Sequence, residues 1–235
     1  GAVGNDGNGS NSGHVRIYEN NNGTWTQLGA DIDGEAAGDQ SGSSVSLSAD
    51  GRIVAIGAPY NNGNGYRSGH VRVFQFNNTS TSWDQLGADI DGEAYRESGR
   101  SVSLSANGTI VAITEREALN RDIRKVRVYN YNGTNWTQMG GDLIGSKQSG
   151  FAFSMNLSKD GKTIAIGSPF WDKDLENNVG YVSVYNYNGN NWIKMGDNIL
   201  GKVEDEQFGR KLSLNANGKI LAIANYPSSS SSTYS

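Results

Sequence analysis

Apolar and polar positions alternate with a period of two along most of the chain. Val15-Arg16-Ile17-Tyr18-Glu19 sets apolar side chains on one face and polar ones on the other, as a half-buried strand does. Ser43 to Ser48 alternates again, with Val45 and Leu47 opposite Ser44, Ser46 and Ser48. Thr24 to Ile32 reads as one further strand. Arg52 to Pro59 is a short, nearly continuous apolar run, which predicts a strand covered on both faces. Asp50-Gly51 lies between the last two and predicts a two-residue hairpin, because that dipeptide accepts positive φ angles.

These four strands recur. His14-Val15-Arg16-Ile17-Tyr18 returns as His70-Val71-Arg72-Val73-Phe74, as Lys125-Val126-Arg127-Val128-Tyr129 and as Tyr181-Val182-Ser183-Val184-Tyr185. Trp25, Trp83, Trp136 and Trp192 follow in register, then Gly29, Gly87, Gly140 and Gly196. The turn dipeptide returns as Asn107-Gly108, Asp160-Gly161 and Asn217-Gly218. The chain is therefore four copies of a unit of about 55 residues. Their bounds are about 14–69, 70–124, 125–180 and 181–235, with 1–13 as the end of a preceding unit. Four antiparallel strands per tandem unit predict an all-β fold, a β-propeller of four-stranded antiparallel blades forming one domain over 1–235. The repeated Trp is expected to pack between neighbouring blades.

Composition narrows the function. Of 235 residues, 32 are Gly and 3 are Pro, which suits turns between short strands. There is no Cys, which removes disulfides and thiolate sites. No apolar run reaches membrane-spanning length, so no membrane insertion is expected. The opening GAVGNDGNGS has neither the basic start nor the apolar core of a signal peptide. A net charge of −4 speaks against a nucleic-acid partner.

From Ser41-Gly42-Ser43-Ser44-Val45 through Ile56-Gly57-Ala58-Pro59 the unit resembles the FG-GAP repeat, which builds the integrin α-subunit propeller and many secreted microbial and algal proteins. Gly167-Ser168-Pro169 and Phe208-Gly209 carry the same likeness. The resemblance implies an innermost Ser43–Ser48 strand, then Arg52–Pro59, then the Val71–Phe76 strand, with the Trp strand outermost. On that order the chain supplies two half-blades around three whole ones. The half-blades either pair into a closed four-bladed ring, or the chain is part of a larger propeller. The family's Asp-rich calcium loop has no counterpart here; its position reads Ser48-Ala49-Asp50-Gly51.

Candidate chemistry is sparse. No Ser-His-Asp set and no nucleophile elbow is present, so an enzyme is not expected. The long, non-repeating loops lie on one face, and Tyr60, Tyr95, Arg96, Trp171 and Asp172 are the ligand-binding candidates there. Metal candidates are the alternating carboxylates Asp31, Asp33, Asp89 and Asp91, with Asp174 and Glu176 in the Trp171 loop. They leave calcium open, and no other cofactor is expected. Eight Asn-x-Ser/Thr sequons occur. Asn22, Asn77, Asn132 and Asn135, on the opposite face, are the glycosylation candidates. The expected role is a non-enzymatic adhesion, assembly or structural module, extracellular or at the cell surface. Its partner would be a protein or surface glycan, a further copy, or neighbouring domains of a longer chain. The alternative is a carbohydrate-binding, lectin-like propeller.

Overall fold

A computed structural model of the chain describes residues 1–119, 124–145, 149–172 and 177–225. Among these residues every regular element is a strand. The first repeat opens with β1 (His14–Val15), β2 (Tyr18–Asn21), β3 (Thr24–Gln27) and β4 (Ile32–Asp33). Next come β5 (Ser44–Leu47), β6 (Ile53–Ala58), β7 (His70–Asn77), β8 (Ser82–Gln85) and β9 (Ile90–Asp91). The pattern repeats as β10 (Val102–Leu104), β11 (Ile110–Arg116), β12 (Arg124–Tyr131), β13 (Trp136–Gln138) and β14 (Leu143–Ile144). It repeats again as β15 (Ser154–Leu157), β16 (Thr163–Ser168), β17 (Tyr181–Tyr187), β18 (Trp192–Lys194) and β19 (Ile199–Leu200). The last described pair is β20 (Lys211–Leu214) and β21 (Leu221–Ala224).

Three sheets share one topology. The order is β5-β6-β7-β8 with β9 also on β7, then β10-β11-β12-β13 with β14 on β12, then β15-β16-β17-β18 with β19 on β17. This is the predicted blade order, with the Ser-rich strand at one edge and the Trp strand at the other. The continuous apolar strand is the one covered on both faces: β16 is buried throughout, and β6 is buried from Val54 to Ala58.

The structure revises two local expectations. The outermost strand is not one run from Thr24 to Ile32 or its equivalents. It breaks into β8 and β9, because Gly87 takes a φ of 69° and turns the chain out of line. Gly29, Gly140 and Gly196 do the same at 74°, 69° and 67°. Nor is the Asp-Gly turn a two-residue hairpin. Only Gly51 has positive φ, and the ladder stops at Leu47 and Val54. The Ser48 hydroxyl closes the wider loop: it donates to Asp50 Oδ1 at 2.5 Å and accepts from the Ile53 amide at 2.9 Å. Ser105 with Asn107 and Ser158 with Asp160 repeat this lock.

The described chain divides into two compact units. Unit 1 holds residues 1–119 and 127–139, and unit 2 holds 124–126, 140–145, 149–172 and 177–225. In unit 1, apolar side chains between successive sheets form two cores. One joins Ala55, Val71 and Val73 to Val111 and Ile113, and the other joins Val15 and Ile17 to Ile56 and Phe74. Where inner strands meet, a side chain bonds the facing backbone: the Ser44 hydroxyl donates to Gly99 O at 2.8 Å. In unit 2 the Ser154 hydroxyl donates to Gly209 O at 2.6 Å in the same way.

Candidate functional site

The β6–β7 loop of unit 1 is built by its own asparagines. Asn61 Oδ1 accepts from the Gly63 amide at 2.7 Å, and Asn62 Oδ1 accepts from the Arg67 amide at 2.8 Å. The Asn64 side chain then donates to Gly92 O at 2.9 Å, which ties this loop to the β9–β10 connection. Asn5, Asp6 and Asn8 make the same three bonds one repeat earlier. The loop is therefore a built scaffold, and Tyr60, Tyr66 and Arg67 stand on it.

Those side chains converge with residues from the next connection. The Arg67 guanidinium lies 4.8 Å from the Tyr60 ring centre and 5.8 Å from that of Tyr66. Arg100 lies 5.3 Å from the Tyr60 ring and donates to its hydroxyl at 2.8 Å. Tyr66 packs against Tyr95 with ring centres 5.5 Å apart. Both remain well exposed, at 57% and 43%. A cleft of about 300 Å³ opens beside them, lined by Gly38, Gln40, Tyr60, Asn62, Tyr66 and Arg67.

Glu97 holds the arginines in place. Its side chain is 1% exposed. Its Oε2 accepts from Arg100 Nε at 2.7 Å and Arg116 Nη2 at 2.7 Å, and Oε1 accepts from Arg67 Nη1 at 3.3 Å. Burial alone would push this carboxyl up; the hydrogen bonds and charges of Arg116 and Arg100 outweigh it and hold the carboxyl below its ordinary value. The arginines are thus fixed before any ligand arrives. Arg96 sits at the edge, 3.8 Å from both Glu93 and Glu117.

Three ligand-binding candidates, Tyr60, Tyr95 and Arg96, thus fall in one patch. Sequence reading missed Tyr66, Arg67, Glu97 and Arg100. One signal was available: the repeat position of Glu97 carries Gln40 and Gln207 elsewhere, so a charge there marks this unit.

Trp171 and Asp172 belong to unit 2. Trp171 packs edge-on against Tyr181 at 5.5 Å, and Asp172 Oδ1 accepts from the Asn178 amide at 2.7 Å. Asp172 is therefore a loop-closing acceptor. Unit 2 carries its own aromatic and arginine group, with Arg210 5.0 Å from the Phe153 ring and 5.8 Å from that of Phe170. Arg210 also donates to Gln207, as Arg100 donates to Glu97.

The carboxylate candidates separate by partner. Asp31 is clamped by Arg16 Nε and Nη2 at 2.8–3.0 Å and by Gln27 at 2.8 Å. Those bonds lower its pKa to about 2. Asp33 lies across the ladder from His14. Asp89 receives Gln85 Nε2 at 2.7 Å and faces His70 Nδ1 at 3.3 Å, and its contact with His70 lowers its pKa. Asp91 is raised, first by burial and then by the charge of Asp89. Asp174 and Glu176 lie outside the described residues.

Of the glycosylation candidates, Asn22, Asn132 and Asn135 are exposed and Asn77 is half-buried. Asn77 donates to Asp84 at 2.9 Å, while its Oδ1 accepts from the Thr79 amide. Asn132 Oδ1 accepts from the Thr134 and Asn135 amides.

Comparison with known proteins agrees with this architecture. A family model described as the FG-GAP repeat matches residues 30–74. Curated proteins give no significant match. Among solved structures, a provisionally assigned 6-phosphogluconolactonase from Bacteroides uniformis superposes with a TM-score of 0.51 at 17% identity. It covers 77% of this chain and 46% of its own, so the chain spans about half of that protein. The β-propeller domain of the Trilobed protease from Pyrococcus furiosus aligns over 68% of this chain and 42% of its own, with a TM-score of 0.41 at 10% identity. The Dos1 propeller aligns over 92% of this chain and 61% of its own, with a TM-score of 0.46 at 13% identity. At 17% identity the Bacteroides likeness is one of fold alone. The fold is that of a β-propeller.

Proposed function

The chain carries an FG-GAP repeat on a β-propeller fold, and on that premise we propose that it is a non-enzymatic recognition module of the cell exterior. It works in adhesion or assembly through the Tyr60–Arg67–Tyr66–Tyr95 patch. The observation that carries this reading is the pairing of exposed tyrosines with arginines already fixed by a buried carboxylate. Tyr and Arg dominate interface hot spots, because each offers a large contact area and a polar end. Fixing the guanidiniums beforehand lowers the ordering cost of binding. The partner is a protein or a surface glycan.

An extracellular or cell-surface place is supported by the FG-GAP repeat, by the eight sequons and by the Gly- and Asn-rich surface. Among the described residues no helix is long and apolar enough to cross a membrane. A non-catalytic role is supported by the clamped state of the charged groups in the patch, where each arginine is paired with a carboxylate.

A lectin-like reading has one observation in its favour, the cleft of about 300 Å³ beside Tyr60 and Tyr66. A sugar face stacks on an exposed aromatic ring, and Gln40 and Asn62 offer hydrogen bonds.

The test applies the protein to a glycan array and to immobilised extracellular-matrix proteins. The Tyr66→Ser/Tyr95→Ser double variant runs beside it. Binding that the double variant weakens by about tenfold or more supports the patch. Equal binding by both, or lactone hydrolysis by the wild type, overturns it. A response on glycans alone turns the reading to a lectin.

A further inference from the structure

The first strand position facing the Asp of each repeat changes in step with that Asp. His14 stands 3.5 Å from Asp31, His70 stands 3.3 Å from Asp89, and Lys125 Nζ stands 3.3 Å from Asp142. In the last repeat the pair becomes Tyr181 and Asn198, neither basic nor acidic. The position therefore holds a basic side chain wherever an Asp faces it. In the Lys125 repeat that side chain is an ammonium. In the other two a histidine stands there.

The two histidine repeats differ. Asp31 is already neutralised by the Arg16 clamp. The equivalent Arg72 turns elsewhere: its Nη2 donates to Asp33 O at 2.6 Å. Asp89 is thus left without an arginine. Glu35 joins it from the preceding repeat, and its equivalent Glu93 takes Arg127 at 2.5 Å. Glu35 itself has only a long 3.5 Å approach from Arg72. Both carboxylates instead face His70 Nδ1, at 3.3 Å for Asp89 Oδ2 and 3.8 Å for Glu35 Oε2. The His70 side chain is 98% buried, and the two carboxylates are open to solvent on one side.

We propose that Glu35, His70 and Asp89 form a three-ligand site for a divalent cation of the Zn(II) class. One ligand atom from each of the three lies within 4.8 Å of the others. The His70 distances exceed the usual 2.7–2.9 Å of a charge-assisted hydrogen bond. The 3.3 Å to Asp89 is the separation of two ligand atoms around a tetrahedral Zn(II), about 3.4 Å for bonds of about 2.0–2.1 Å, and the 3.8 Å to Glu35 would close to it by a small shift of that exposed side chain. An imidazole with two carboxylates suits Zn(II) and its neighbours, whereas calcium asks for six or more oxygens. The fourth position faces solvent and takes water. The ion would join the loop after β4 to the start of β7, as the ammonium of Lys125 joins its own Asp142.

The experiment uses the whole chain, freed of metal with a chelator. Zn(II) is titrated by calorimetry and thermal melting, and Co(II) by visible absorption. One strong site is expected, with a melting temperature several degrees higher and the intense ligand-field band of a tetrahedral ion. Glu35→Gln, at an exposed position, should melt like the wild type in chelator and bind Zn(II) at least about tenfold more weakly. His70→Gln should abolish the band. His14→Gln should keep it. No saturable binding, or equal binding in the Glu35 and His70 variants, overturns the site. Loss of binding in His14→Gln with retention in His70→Gln overturns it too.

Discussion

Trp83 Nε1 donates a 2.8 Å hydrogen bond to the carbonyl oxygen of Leu28, 55 residues earlier in the chain. Trp136 repeats the bond to Leu86 O at 2.7 Å. The acceptor in each case precedes the Gly that breaks the outer strand of the previous repeat. A Cβ on Gly29 would sit 2.9 Å from Trp83 Cδ1. So Trp83 with Gly29, and Trp136 with Gly87, are the two halves of one joint. The break exposes a carbonyl that the strand no longer uses, and the next indole fills the space and satisfies it.

This joint predicts two graded losses. Trp83→Phe keeps most of the ring area and drops the donor, and should cost about 1 kcal/mol. Trp83→Ala removes the ring as well and should cost about 3 kcal/mol, the low end for a large aromatic because the ring is half-buried. Urea unfolding of both variants checks this. Equal losses for the two would show that the hydrogen bond carries the joint alone.

The inner edge predicts a steric failure. A Cβ on Gly57 would lie 2.0 Å from Gly99 O and 2.4 Å from Ser44 Oγ. Neither neighbour can retreat, since one is backbone and the other donates to that same carbonyl. Gly57→Ala should therefore destabilise by about 3 kcal/mol or more. Gly141→Ala is the control, because a Cβ there meets nothing within 4 Å. It should be neutral or slightly stabilising. Thermal melting of the two variants side by side decides the matter.

The four-strand unit and its order were legible because landmark residues recur in register. Local geometry was less so. Asp50-Gly51 invites a two-residue hairpin, yet the Ser48 hydroxyl binds Asp50 and lengthens the loop. Gly87 was visible as a repeat, but its φ of 69° and the strand break it causes were not. In the candidate site, Tyr60 and Tyr95 stood out as aromatics in non-repeating loops. Glu97 did not, since its partners Arg67 and Arg116 are 30 and 19 residues away and only folding brings them together.

Glycan attachment should be uneven. Asn22 lies at an exposed turn with a φ of 52°. The Asn77 amide is occupied by Asp84 and by its own turn, on a half-buried residue. Expression in a eukaryotic secretory host, followed by glycopeptide mapping, should find Asn22 occupied more fully than Asn77. The reverse order would show that turn bonds do not govern access.

Glu97 gives a pH-dependent prediction. Its pKa is lowered in the folded protein, so the carboxylate form is favoured by folding. That contribution is fully present above the unfolded value, near the ordinary carboxyl range, and is lost as pH falls through the lower folded value. Glu97→Gln should therefore destabilise at neutral pH by about 2–3 kcal/mol, less than a fully enclosed pair because the arginines are partly open to solvent. The gap between wild type and variant should close as the medium is acidified below the ordinary carboxyl range. Gln already stands at the equivalent positions 40 and 207, so the substitution fits sterically and the loss reports charge. Unfolding free energies measured across that acid range check the sign. A gap that stays constant with pH would show that Glu97 acts through shape, and that the arginines of the patch do not depend on its charge.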